Sequence, residues 1–242
     1  MVCVVFVDIC DHLKLVYKRL DLFKQTVYSL INQMKNIESI DYWFCVDDNS
    51  SQKDRDEMQE LFPWMDFYFK EFKEKGHRQS MNLIYNKLMT LKPKYWIHME
   101  DDFLFFKEID LKKIITDFES LDDKNINQLL FNRNYAEVIK DYSISGSVST
   151  NVNNIVLHEN KAGLFPYGNC HYWPHFSFRP SIIKADAILD LGNFDSENQF
   201  FEMDYARKYT NKGYKSSFLN EITNLHIGKL TTENSSQTKN AY

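Results

Sequence analysis

The chain has 242 residues, enough for one α/β domain or two small ones. With 34 Asp and Glu against 29 Lys and Arg its formal charge is -5, which argues against a general nucleic-acid binder but not against a local basic pocket for phosphate. A 43% hydrophobic fraction with 19 Phe and 14 Tyr supplies a core. No stretch reaches transmembrane length, and MVCVVFVDIC is too short and too acidic for a signal peptide, so the expectation is a soluble cytoplasmic or other intracellular protein. Cys3, Cys10, Cys45 and Cys170 lack paired spacing and read as free thiols.

VCVVFVDI opens the chain as a continuous apolar run, the pattern of a central parallel strand. A helix follows, with Leu20, Phe23, Val27, Leu30 and Ile31 at helical spacing. YWFCV is the second strand and breaks into DDNSSQKDRDE, where Ser50 or Ser51 caps a helix that Pro63 ends near Leu61. DFYFKEF is a third strand, Gly76 breaks it, and Met81, Ile84, Tyr85 and Leu88 mark the next helix. YWIHM is the fourth strand. This alternation predicts a doubly wound, mostly parallel sheet flanked by helices. Further on, DLKKIITDFESL reads as helix, NQLLFNR as strand, and residues 141–178 as loop-rich with a short strand at NIVLH. SIIKADAILDLG reads as a helix ending at Gly192, and SENQFFEMDYARKYTNKG as another, capped by Ser196 with Gln199 three residues on. KSSFL is strand-like, and residues 231–242 form a polar tail.

Two strand ends carry unexpected acid. YWIHMEDDF places Glu100, Asp101 and Asp102 at the tip of a hydrophobic strand, and strict alternation puts Glu100 and Asp102 on one face. Such a cluster raises its own pKa values and costs solvation unless a divalent cation or a solvated turn relieves it. In WFCVDDNS, Asp47 and Asp48 are placed to accept from ribose hydroxyls or a uracil N–H, while the plainer reading has Asp48 and Asn49 form an Asx turn that caps the next helix; both can hold at once, one acid facing the ligand and the other fixing the turn. Between them, EKGHRQSMN offers His77 and Arg78 to a diphosphate near a helix N-terminus. There is no G-x-G-x-x-G after the first strand and no Walker loop, so a nucleotide diphosphate here needs another neutraliser, for which metal on acidic residues is the obvious choice.

LFKQTVYSLINQM, FCVDDNSS, GHRQSMNLIYN and WIHMEDDF, in this order, resemble the GT-A fold glycosyltransferases, most closely the family 2 type. Thr26, Ser29 and Leu30 match a T-x-x-S-L-like stretch, and Val46 to Ser50 match a V-D-D-G-S-like loop with Asn49 for glycine. The resemblance covers residues 1–230, with a nucleotide-sugar half over 1–102 and an acceptor and catalytic half over 103–230. It implies metal-dependent transfer from a UDP-sugar, with Mn2+ or Mg2+, to a glycan, protein or small-molecule hydroxyl, with inversion. Asp102 would then ligate the metal, Glu100 through water or at the ribose, and Asp101 would orient the strand end; His226 in NLHIGK would complete the metal shell. Counting back from Gly213-Tyr214 sets Glu202 at the position of the general base, with Asp204 as rival because Phe201 replaces the usual preceding acid.

On the acceptor side, Tyr172, Trp173 and Phe176 offer aromatic surfaces for a sugar ring or form a small hydrophobic core. Cys170, His171 and His175 lack the paired spacing of a zinc site. The competing functions are a sugar-nucleotide-forming nucleotidyltransferase, against which stands the absence of a Gly-rich activation loop near the N-terminus, and a catalytically inactive carbohydrate-binding or nucleotide-sugar-binding protein.

Overall fold

A computed structural model describes residues 1–9, 19–132, 147–160, 175–197 and 201–228. The first half alternates as β1 (Val2–Ile9), α1 (Arg19–Gln33), β2 (Met34–Lys35), β3 (Tyr42–Asp47), α2 (Gln52–Leu61), β4 (Asp66–Phe69), α3 (His77–Leu91) and β5 (Tyr95–Glu100). The chain continues through β6 (Phe103–Phe105), β7 (Ile109–Asp110), α4 (Leu111–Glu119), β8 (Ile126–Leu130), β9 (Ser147–Val152) and β10 (Ile155–Asn160). It closes with β11 (Ser181–Lys184), α5 (Ala185–Leu191), α6 (Phe201–Asn211), β12 (Lys215–Leu219) and β13 (Asn224–His226).

Among the described residues the main sheet runs β4-β3-β1-β5-β11-β8-β12-β10-β9. Its first four strands are parallel, and the apolar runs of β1, β3 and β5 suit the covered interior of such a sheet, with β4 at its edge. Side chains alternate between two cores. Ile97 and Met99 pack with Phe23, Val27 and Leu30 of α1 and with Leu111 and Phe118 of α4. Trp96 turns the other way, to Met81, Ile84 and Leu88 of α3, Ile188 of α5 and Tyr205 and Tyr209 of α6. Each fully buried side chain of this size contributes about 1.5–3 kcal/mol relative to leaving it exposed.

Local chemistry sets several boundaries. Ser51, not Ser50, caps α2: its Oγ accepts from the Asp54 N–H at 3.2 Å. Gly76 enters α3 at φ +121°, a conformation that a side chain would strain.

SIIK was expected to be helical and is instead β11, antiparallel to both β5 and β8. The reason is double-sided burial: Ile182 packs in one core and Ile183 in the other, which suits a strand rather than a helix face. Ser196 does not sit next to the described start of α6; its hydroxyl donates to Asp204 at 2.6 Å, and Gln199 lies outside the described residues. Residues 229–242, with most of 141–174, also lie outside them. Among the described residues, no helix is long and apolar enough to cross a membrane, and Cys45 is a buried free thiol, pushed well above its usual range by burial.

Candidate active site

The acidic ends of β3 and β5 flank the end of β1, with Asp47 registered against Ile9 and Glu100 against Val7. β5 stops at Glu100, and Asp101 and Asp102 form a turn into β6. Strict alternation therefore ends one residue too early for Glu100 and Asp102 to pair on one face. Helix α1 pins this turn. Thr26 Oγ1 donates to the Asp101 carbonyl at 2.8 Å and accepts from the Phe103 N–H at 3.0 Å, while Ser29 Oγ accepts from the Phe105 N–H at 3.0 Å.

Two helical turns before Thr26, on the same face of α1, stands Arg19. One arm of its guanidinium pairs with Asp101, and the other reaches Asp102 Oδ2 at 3.2 Å. From the far side, β13 pairs with β6 and sets His226 opposite Phe103. His226 Nε2 lies 3.1 Å from the same Asp102 Oδ2, and the Ile227 N–H donates to the Asp102 carbonyl at 2.8 Å. A Cβ on Gly228 would lie 1.9 Å from that oxygen, so only glycine fits. Burial opposes the charged form of Asp102, but His226 and Arg19 outweigh it and hold the carboxyl below the usual range.

Asp47 and Asp48 are turned to internal partners. Asp47 is fully buried, accepts from the Ser50 N–H and pairs with Arg55 at 2.8 Å; burial nonetheless holds its pKa above the ordinary value. Asp48 pairs with the fully buried Lys70 and accepts from the Gly76 N–H at 2.8 Å. Lys70 Nζ also donates to the Gly76 carbonyl and to Ser80 Oγ, both at 2.9 Å. Both acids thus tie the end of β3 to the segments that follow it, Asp47 to the start of α2 and Asp48 to Lys70 and the entry to α3. Arg78 reaches the Asp195 carbonyl at 3.5 Å, in the α5–α6 connection.

On α6, Glu202 accepts from the Phe178 N–H at 2.9 Å. Asp204 is held by Ser196 and, at 3.3 Å, by Arg207. A cavity of about 220 Å³ opens beside Arg19, between the starts of α1 and α2, and Lys24, Ser51, Lys53, Asp54 and Glu57 also line it.

No family model matches the sequence, and no curated protein matches it. Solved structures do match. The mannosyltransferase PcManGT from Pyrobaculum calidifontis, in complex with GDP-Man and Mn2+, aligns over 89% of this chain and 53% of its own at 13% identity and a TM-score of 0.54. S. aureus TarS 1-349 with UDP-GlcNAc aligns over 95% of this chain and 59% of its own at 11% identity and a TM-score of 0.60. This chain has the GT-A fold. It spans little more than half the length of these two glycosyltransferases. A 4-diphosphocytidyl-2C-methyl-D-erythritol synthase from Anaerococcus prevotii also matches, over 96% of this chain and 91% of its own, at 12% identity and a TM-score of 0.50.

Within this GT-A chain, Phe176 is a core residue: it is fully buried against Phe178, Tyr205 and Tyr209, because a ring closed in by other rings has no face left for a sugar. Tyr172 and Trp173 lie outside the described residues. His175 is buried, and its Nδ1 accepts from the Ser216 N–H at 3.3 Å. His98 is fully buried on β5, neither ring nitrogen has a hydrogen-bond partner among the described residues, and burial, then His77, pushes its pKa down to about 3. Sequence reasoning missed Arg19 and Lys70. For Arg19 a signal existed in its helical spacing to Thr26. Lys70 carried none, since nothing in KEFKEK distinguishes the one lysine that folds inward.

Proposed function

We propose that the chain is a metal-dependent glycosyltransferase moving a sugar from a nucleoside-diphosphate sugar to a hydroxyl acceptor. The observation that carries this reading is the meeting of Asp102, His226 and Arg19 at the carboxyl end of β5, where parallel sheets bind ligands. One carboxylate oxygen and one imidazole nitrogen 3.1 Å apart fit Mn2+ or Mg2+ as a partial shell. Among the described residues no group of three or more His, Cys, Asp and Glu forms a full cage, so donor phosphate and water would complete it. Gly228 supports the fit, since any side chain there would fill the space at Asp102 Oδ2. A bound cation supplies Lewis-acid stabilisation of the departing nucleoside diphosphate.

The rest is done by the chain itself. Residues 1–102 form the donor half, with the cavity beside Arg19 taking the nucleoside, uridine by preference. Residues 103–230 supply the acceptor half. Glu202 is the general base: it takes the acceptor hydroxyl's proton as that oxygen bonds to the anomeric carbon and the bond to the diphosphate breaks, with inversion. Glu202 is preferred to Asp204 by its spacing from Gly213-Tyr214, since both acids are held in the folded chain, Glu202 by the Phe178 N–H and Asp204 by Ser196 and Arg207. Calorimetric titration of UDP-sugar with and without Mn2+ tests the reading. Binding should require the ion and be lost in Asp102→Asn; binding indifferent to divalent ions refutes it.

The match to the diphosphocytidyl-methylerythritol synthase, over nearly the whole of both chains, favours a nucleotidyltransferase as the second reading. Release of pyrophosphate from a nucleoside triphosphate would establish it, and transfer from a UDP-sugar would exclude it.

A further inference from the structure

Arg19 and the metal pair compete for one atom. Asp102 Oδ2 is the oxygen 3.1 Å from His226 Nε2, and the same oxygen receives Arg19 Nη1 at 3.2 Å. A guanidinium and a divalent cation repel each other and cannot share that oxygen at these distances. The other arm of Arg19 is anchored separately, on the fully buried Asp101. The side chain of Arg19 is 20% exposed, and it lines the 220 Å³ cavity together with Lys24, which pairs with Glu57, and with Lys53, Asp21 and Asp54. It therefore has a fixed pivot, one arm on a contested ligand and an open space to turn into.

We propose that Arg19 is a resident counter-cation that gives up Asp102 to the incoming metal and turns its freed arm to the donor's diphosphate, pivoting on Asp101. The inference rests on the reading of Asp102 and His226 as the metal pair. In the metal-free protein Arg19 neutralises two buried carboxylates that would otherwise be costly to leave unpaired. Once a cation takes Oδ2, the fork is released beside the phosphates, and guanidinium binds phosphate through charge-assisted hydrogen bonds. Arg19 is then a positioning residue that links metal loading to donor binding.

This device makes two predictions of opposite sign, which a merely structural arginine would not. In calorimetric titrations without nucleotide, Arg19→Gln should bind Mn2+ about tenfold more tightly than the unaltered protein, because a competitor has been removed. In saturating Mn2+, the same variant should bind UDP about tenfold more weakly, because a phosphate ligand has been removed. If Mn2+ binding is unchanged or weaker in Arg19→Gln while Asp102→Asn abolishes it, the counter-cation role is wrong and the metal pair stands. If Asp102→Asn also binds Mn2+ like the unaltered protein, the metal pair itself is wrong. Should Arg19→Gln fail to fold, the side-chain N–H resonances of Arg19 in the unaltered protein decide the matter. They should shift on titration with Mg2+, and resonances unmoved at saturation would overturn the proposal.

Discussion

Mild acid should destabilise this protein through one residue, His98. Its ring packs against Trp96 and Phe178, at centroid distances of 5.1 and 5.3 Å, with neither nitrogen hydrogen-bonded among the described residues. In the folded chain its pKa is pushed down to about 3 from an ordinary value of 6.5, first by burial and then by the nearby His77. As pH falls, the unfolded chain takes up the proton first, so the contribution of neutral His98 is whole above pH 6.5 and drains away toward pH 3. At about 1.36 kcal/mol per pH unit, the stretch from pH 6.5 to pH 5 costs about 2 kcal/mol.

The assay is urea unfolding of the unaltered protein and His98→Leu at pH 8, 7, 6 and 5. Leucine has a similar volume, suits the apolar surroundings and does not titrate in this range. The difference between the two unfolding free energies should change little between pH 8 and 7. It should then grow by about 2 kcal/mol in favour of leucine by pH 5. Curves that stay parallel throughout would refute the reasoning, because they would mean that His98 is protonated as readily in the folded chain as in the unfolded one.

Gly228→Ala should destabilise the fold by about 1–3 kcal/mol through overpacking and abolish Mn2+-dependent UDP-sugar binding, since its Cβ would sit 1.9 Å from Asp102 Oδ2; calorimetry and thermal unfolding read the two effects. Lys70→Met leaves Asp48 buried without its partner and should cost about 3–5 kcal/mol in urea unfolding, much of it recovered in the Lys70→Met/Asp48→Leu double variant. Thr26→Val removes both of its hydrogen bonds to the acid turn and should lower stability by about 1–3 kcal/mol, measured by thermal unfolding. Glu202→Gln should keep Mn2+-dependent UDP-sugar binding and lose transfer by about a hundredfold or more, whereas Asp204→Asn should retain most activity in the same assay.

The first half of the fold was legible because each element carries its own signal: two-sided apolar runs for β1, β3 and β5, and helical spacing for α1 and α3. Ile31 was read into the buried face of α1 and lies on the surface, one position past the turn that faces the core. SIIK misled because adjacent isoleucines suit a helix as well as a strand until the flanking strands are known. β13 is only three residues long, too short to show a period, yet it delivers His226 to Asp102. The acids themselves stood out in the sequence, but their partners did not. Arg19 meets Asp101 across 82 residues of chain and Lys70 meets Asp48 across 22, separations at which local pattern says nothing about contact.

Two uses of the same chemistry stand at the ends of β3 and β5. Asp47 with Arg55 and Asp48 with Lys70 are buried-acid pairs, at 0% and 4% exposure against 0% and 5% for Asp101 and Asp102, and their hydrogen bonds fix the backbone after β3. Buried pairs of this kind add little net stability over hydrocarbon, and losing one partner is what costs. At the β5 tip, Arg19 also neutralises acid, but it borders an open cavity, and Asp102 holds an arginine and a histidine on a single oxygen. Shaping a loop needs no such crowding. On the proposed reading, Asp102 Oδ2, contested by Arg19 and His226 at the carboxyl end of β5, exchanges one of these partners for a divalent cation that carries the donor's diphosphate, and the Mn2+ titrations of Arg19→Gln read that exchange.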